Sequence, residues 1–323
     1  MLGLALATLL GTGPVDLPAD RACTPAEITA LTAAPDGRDA PYRLTCRATL
    51  NGRAVTRRVL VEGAEASGAG IDCGGGVIGR PGVARTSRAP TLAIWSRRTG
   101  DAFSRPTDIA IRNCTVHGSV RIWGMGAGRS MADLRESSRT AGHTQAAQAA
   151  APTRVALNGV TFAANGSIPL YVGPGVTQTK VTGGRFIGRS DSVAVYLDAE
   201  SRQAEITGVR FDVRTAREII AVDGSAANTI MANRFALNGQ GGVFLYRNCG
   251  EDGVIRHQTP SDNVVSDNTF SGASWLRPRL VVVGSREGGR RYCADDRGYP
   301  FGSSLDDGDH ATGNVVYRNR RLS

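Results

Sequence analysis

The chain has 323 residues, 41% of them hydrophobic, which is enough for a large core in one elongated domain or two compact ones, and one is the reading adopted. Its 41 glycines and 6% aromatic content suit turn-rich all-β structure and disfavour long amphipathic helices. An excess of 38 Lys and Arg, almost all arginine, over 29 Asp and Glu gives +9, which favours an anionic partner such as an acidic polysaccharide, nucleic acid or a membrane surface.

Residues 1–22 begin MLGLALATLLGTGPVDLPAD, an apolar run of signal-peptide length followed by Gly, Pro and acidic residues, without a Lys/Arg start or a clean small-x-small cleavage site. They are read as an export signal, the alternatives being an N-terminal strand or a disordered tail. No later stretch reaches 18 apolar residues, so no membrane span is expected. Residues 23–54 are read as an N-terminal cap. In CTPAEITALTAAPDGRDAPYRLTC (23–46), Pro-Ala-Glu-Ile follows a Thr N-cap, the pattern of a short helix able to cover the open end of a repeat stack.

From 55 to 323 the chain reads as one repeat array with insertions at 124–152, 248–262 and 284–310. The first, GMGAGRSMADLRESSRTAGHTQAAQAAAP, is Ala-rich and polar, breaks the period and is expected to loop off the array; such insertions often line a binding face. After it, VALNGVTF, KVTGGRF, EITGVRF, IMANRF and VVSDNTF end at Phe162, Phe186, Phe211, Phe235 and Phe270, steps of 24, 25, 24 and 35 residues. Each Phe is followed by a polar turn and a second apolar run: IPLYVG, VAVYLD, EIIAVD, VFLYR and LVVVG.

Two short strands recurring at one period are the signature of a parallel β-solenoid, whose turns stack and bury like side chains in columns. Alternation along each strand predicts one inward column of Leu170, Val195, Ile220, Phe244 and Val281 and a second of Val172, Leu197, Val222, Tyr246 and Val283. The residues facing outward are then Tyr171, Tyr196, Ala221, Leu245 and Val282, and after them Gly173, Asp198, Asp223, Arg247 and Gly284. Asp198 and Asp223 are therefore expected on neighbouring rungs, facing outward into a groove walled by the 124–152 and 248–262 insertions.

Six cysteines form no Cys-x-x-Cys and are read as disulfides of an oxidising compartment, secreted or periplasmic, with buried free thiols as the alternative. The pairs expected are Cys23–Cys46, Cys73–Cys114 and Cys249–Cys293. The first and third would close caps or insertions, and the second would join stacked coils.

These repeats, with GIDCGGGVIG (70–79) and DIAIRNCTVHG (108–118), resemble the right-handed parallel β-helix superfamily of pectate lyases, polygalacturonases and uronate epimerases. The resemblance covers roughly 55–320 and points to the fold rather than to one enzyme family. A polygalacturonase arrangement of tandem Asp with Gly-His-Gly on the next coil is missing. Pectate lyases hold Ca²⁺ with acids from successive rungs and use an arginine as base, which implies Asp198, Asp223 and Glu200 as a metal set and Arg247, Arg256 or His257 as base.

On the residues themselves, two acids one rung apart repel unless one is protonated or a cation lies between them. Asp198, Asp223, Arg247, Glu251 and His257 are the catalytic candidates, and Tyr171, Tyr196, Glu200, Glu218 and Arg256 the candidates for holding substrate. Cleavage of an acidic polysaccharide by β-elimination is the leading reading, with either no cofactor or Ca²⁺. Glycoside hydrolysis by the Asp198/Asp223 pair is the second, and a glycan-binding adhesin without catalysis the third. A surface ladder that only solubilises the edge is the plain alternative. No nucleic-acid motif appears, and nucleic acid is not expected as a partner.

Overall fold

A computed structural model describes residues 21–35, 39–127, 131–238, 240–272, 278–287 and 296–322, with the backbone alone at Glu251. The expected export signal lies outside these residues except for 21–22. Three parallel sheets of nine, eight and nine strands wrap one continuous apolar core, and the chain is a parallel β-helix. A small antiparallel hairpin, Arg97–Thr99 with Ala102–Ser104, stands beside them.

One coil shows how the sequence builds the rest. Lys180–Thr182 lies in one sheet, Arg185–Ser190 in the next and Val195–Leu197 in the third, and the following coil repeats them as Glu205–Thr207, Arg210–Thr215 and Ile220–Asp223. The register pairs Phe186 with Phe211 and Leu197 with Val222, so a step of 25 residues returns the chain to the same place. The turn at Gly184 needs glycine: its φ is +77°, and a Cβ there would sit 2.2 Å from the Val160 carbonyl oxygen.

The five repeat phenylalanines form one column, as their spacing predicts. Successive rings of Phe162, Phe186, Phe211, Phe235 and Phe270 lie 4.3, 4.7, 4.6 and 4.7 Å apart and within 9° of parallel. Each is fully buried, which contributes about 1.5–3 kcal/mol per ring. Two asparagine ladders satisfy the buried turns near the C-terminal end. Asn228, Asn263 and Asn314 pass amide hydrogen bonds at 2.7 and 3.0 Å, and Asn233, Asn268 and Asn319 do so at 3.0 and 2.9 Å.

The N-terminal end is covered by helix α1 (Pro25–Thr32). Thr24 and Glu27 form a capping box, and Ile28 and Leu31 are buried against the core. Cys23–Cys46 ties the helix to the first coil and Cys73–Cys114 joins stacked coils, both with Cα atoms 5.0 Å apart. Cys249 is disulfide-bonded, and its expected partner, Cys293, lies outside the described residues. On the last described coil Val315, Val316 and Tyr317 are each 40% or more exposed.

Two expectations are corrected. The 124–152 insertion is not a loop: it carries helices α2 (Ala132–Ser138) and α3 (His143–Ala150). Segments this short are not stable alone, and packing of Leu134, Ala147 and Ala150 holds them, together with hydrogen bonds from Ser96 to the Ala150 carbonyl and from the Ile255 amide to the Ser138 hydroxyl. In the fourth repeat the register is one residue off the expected one. Val243 and Leu245 face inward beside Ile220 and Val222, Phe244 follows Ala221, and Tyr246 pairs with Asp223. Arg247 therefore does not continue the aspartate column.

Candidate functional site

Strand Val195–Leu197 runs directly into Asp198, and strand Ile220–Asp223 ends on Asp223. Because Leu197 and Val222 point into the core, the next residue on each rung points away from it, and the two aspartates sit on neighbouring rungs, whose strands are about 4.8 Å apart. They are not exposed, as an outward groove would have left them. Asp198 is 7% exposed and Asp223 0%, because the 248–262 insertion folds back over both.

That insertion supplies the cation that the pair requires. Arg256 donates from one Nη to Asp198 Oδ1 and lies 3.2 Å from Asp223 Oδ2. The tyrosine hydroxyls complete the cluster, Tyr171 donating to Asp198 Oδ2 and Tyr196 to Asp223 Oδ2. The Ala199 amide donates to Asp198 at 2.8 Å, and Asn248 gives Asp223 its backbone N–H and its side-chain amide, both at 2.7 Å. Two carboxylates and one guanidinium leave a net negative charge in a desolvated place.

Burial raises the Asp223 carboxyl above the ordinary aspartate range, the positive charge of Arg256 opposes that shift, and the charge of Asp198 adds to it. Burial lowers Arg256, but Asp223 and Asp198 outweigh it and hold the guanidinium well above its usual value. Tyr171 and Tyr196 are pushed well above 10 by burial and then by their aspartates, so both phenols stay protonated.

Beside this cluster opens a cleft of about 280 Å³. Trp123, Tyr171, Asp198 and Arg256 line it, Met131, Leu134 and His143 border it from the helical insertion, and Arg88 is exposed on its lining. Burial, with a smaller contribution from His257, lowers His143 to about 3, so this ring stays neutral. Trp123, His143 and Arg88 carry no repeat signal in the sequence, since none lies in the five aligned repeats.

The other expected residues are placed as follows. Glu200 is fully buried and accepts from the Thr144 hydroxyl and from the amides of His257 and Gln258, at 2.7 and 3.2 Å, which ties α3 to the covering segment. Burial is the main cause of its raised carboxyl. Glu218 accepts from Tyr246 at 2.9 Å and from Arg217 at 2.8 Å and is not part of the cleft lining. His257 pairs its Nε2 with the Ser138 carbonyl at 2.7 Å and stacks near Phe301. Arg247 is drawn away from the aspartates by the last insertion, where it meets Asp309, Gly308 and Asp306 at 2.8, 2.9 and 2.8 Å. The side chain of Glu251 lies outside the described residues.

The Ca²⁺ set does not fit this arrangement. Oxygens of Asp198 and Asp223 are engaged by a guanidinium, phenols and amides, and those of Glu200 by Thr144 and two amides. Among the described residues no group of three or more His, Cys, Asp or Glu side chains is placed to hold a metal.

The chain is thus a parallel β-helix protein with a covered acid–arginine–tyrosine cluster beside a cleft. No protein-family model and no curated protein matches it. Among solved structures it is similar to the Streptococcus pneumoniae surface protein and adhesin PfbA, at 12% identity over 85% of this chain and 77% of that one, with a TM-score of 0.37. Two mutants of the periplasmic alginate epimerase AlgG also match, at 12% and 13% identity. They cover 90% and 85% of this chain and 82% and 79% of their own, with TM-scores of 0.20 and 0.19.

Proposed function

We propose that the protein binds a uronic-acid polysaccharide in this cleft, outside the cytoplasm, and cleaves it by β-elimination. The observation that carries the reading is the Tyr171 hydroxyl donating to Asp198 on the cleft lining, with Arg256 behind the carboxylate. Tyr171 is held protonated, so it works as a relay. As the phenol oxygen takes the C5 proton of the sugar, its own proton passes to Asp198. The C5–H electron pair forms the C4=C5 double bond, and the C4–O pair leaves on the glycosidic oxygen. Tyr171 then protonates that oxygen and recovers its proton from Asp198, so charge and protons balance without a co-reactant.

Hydrolysis by two carboxylates is less well supported, because Asp223 is fully buried beneath Asn248 and Tyr196 while Asp198 lines the cleft. The disulfides support a secreted or periplasmic setting. The test incubates the protein with acidic and neutral polysaccharides and follows both the ultraviolet absorbance of unsaturated uronates and the release of reducing ends. The two should rise together on an acidic polymer, and Tyr171→Phe should abolish both while the variant still binds the polymer. Reducing ends without absorbance would mean hydrolysis, and binding without either would mean an adhesin; each outcome overturns the elimination reading.

A further inference from the structure

The outer face of the cleft-bearing sheet carries a second feature that the cluster does not use. Arg121 sits between Ala93 and Tyr171 in the outward column and is only 8% exposed. Its guanidinium lies 4.6 Å from the centroid of the Tyr171 ring, the same ring that lines the cleft. Its Nε meets no acceptor, and the structure gives this side chain no ion pair among the described residues. The Asp198 carboxylate offers this guanidinium an opposite charge but no direct hydrogen bond, and burying an N–H without an acceptor is costly.

Arg121 is not alone. The indole N–H groups of Trp95 and Trp123 and the Nε of Arg256 are also buried without an acceptor. Trp95 and Trp123 are register partners on adjacent strands, and Trp123 and Arg256 both line the cleft. All four unpaired groups are donors. From the strand of Trp95 to that of Asp198 is three steps, or about 14 Å along the solenoid axis. A row of donors with no matching acceptors calls for an acceptor-rich, negatively charged occupant longer than a single ion.

We infer that Arg121 receives the carboxylate of a sugar residue and that the donor row from Trp95 to Arg256 binds a polyanionic glycan lying along the solenoid axis. This rests on the acidic-polysaccharide reading above and adds where the charge is recognised. Neutralising the carboxylate is also what lowers the cost of removing the adjacent proton, so the Arg121 guanidinium supports the relay of Tyr171 and Asp198.

The experiment measures binding of an oligogalacturonate, its methyl ester and dextran sulfate in the Tyr171→Phe background, which keeps the ring under Arg121 and prevents turnover. Adding Arg121→Gln should weaken oligogalacturonate roughly 10- to 100-fold, the effect of losing a charge-assisted hydrogen bond, and leave the methyl ester within about 2-fold. Arg121→Lys should recover part of the loss. The melting temperature of Arg121→Gln should stay within a few degrees of its parent, because the guanidinium removed makes no direct ion pair among the described residues. A lower melting temperature with equal losses for acid and ester would make Arg121 a packing residue and overturn the inference. Undiminished oligogalacturonate binding in Arg121→Gln would also overturn it while leaving the proposed function intact. If only the sulfated polymer binds in an Arg121-dependent way, the uronate class is wrong; if the Tyr171→Phe protein binds no uronate oligomer, both readings fall.

Discussion

Replacing Arg256 by methionine removes the one cation that, among the described residues, forms ion pairs with both aspartates, while keeping a side chain of similar length. It leaves Asp198 and Asp223, 7% and 0% exposed, one rung apart with phenol and amide donors alone among the described residues. Breaking a buried ionic cluster in this way costs about 3–5 kcal/mol. With an unfolding entropy of about 2.1 cal/mol/K per residue over 323 residues, that loss corresponds to a fall of about 4–7 °C in melting temperature at neutral pH. The deficit should depend on pH with a defined sign. The folded-state carboxyl of Asp223 lies above its unfolded value, so as pH falls the native state takes up this proton first and the group's penalty shrinks. Without Arg256 the shift is larger, and in the wild type acid instead strips Arg256 of its partners. Both effects make the two proteins converge between neutral pH and about pH 4. Calorimetry of wild type and Arg256→Met across that range reads the effect, and adding Asp198→Asn with Asp223→Asn to the variant should recover most of the loss at pH 7. An Arg256→Met protein with an unchanged melting temperature at pH 7, or with the same deficit at both ends of the range, would refute the reasoning.

Phe211 has a stacked ring on either side, so Phe211→Ala should cost about 3–5 kcal/mol and speed hydrogen exchange in the neighbouring strands Arg185–Ser190 and Arg234–Ala236 more than in α1; uniform exchange across the molecule would contradict a stacked column. His143 is held neutral to about 3, below its unfolded value of about 6.5, so it lowers stability as pH falls from about 6.5 towards 3. Denaturant midpoints at pH 7 and pH 5 should converge in His143→Gln relative to wild type, and an identical pH slope in both proteins would show that the ring does not carry this cost.

The stack was legible because its information is periodic. A phenylalanine every 24 or 25 residues needs no tertiary knowledge to be aligned, and Leu197 and Val222 fix the direction of the next residue on each rung. The fourth repeat failed for a specific reason: in Val243-Phe244-Leu245-Tyr246 both alternating pairs are apolar, so parity cannot say which faces inward. The structure turns Val243 and Leu245 into the core and packs Tyr246 on the other side of the sheet with Tyr196 and Ala221, and Arg247 moves out of the column with the shift. Arg256 was named only as a substrate ligand or base, because it sits in an insertion with no period to place it over the aspartates. Arg121 was missed although SVRIWG alternates as LYVG does; it lies before the aligned repeats, separated from them by the two helices that cover the cleft.

The two ends of the solenoid are unlike, and this gives its unfolding a direction. Helix α1 and the Cys23–Cys46 bond clamp the first coil, whereas Val315–Tyr317, the last rung of their sheet among the described residues, are each 40% or more exposed. In a linear stack each coil leans only on its neighbours, so thermal fraying begins at this exposed rung and travels inward one coil at a time. Behind the Asn263–Asn314 and Asn268–Asn319 bonds of the last coil it meets the hold of Asp306, Gly308 and Asp309 on Arg247, one residue beyond the strand that pairs with the Asp223 strand. The last insertion thus acts as a stop against unzipping, and the acid–arginine cluster lies on its sheltered side.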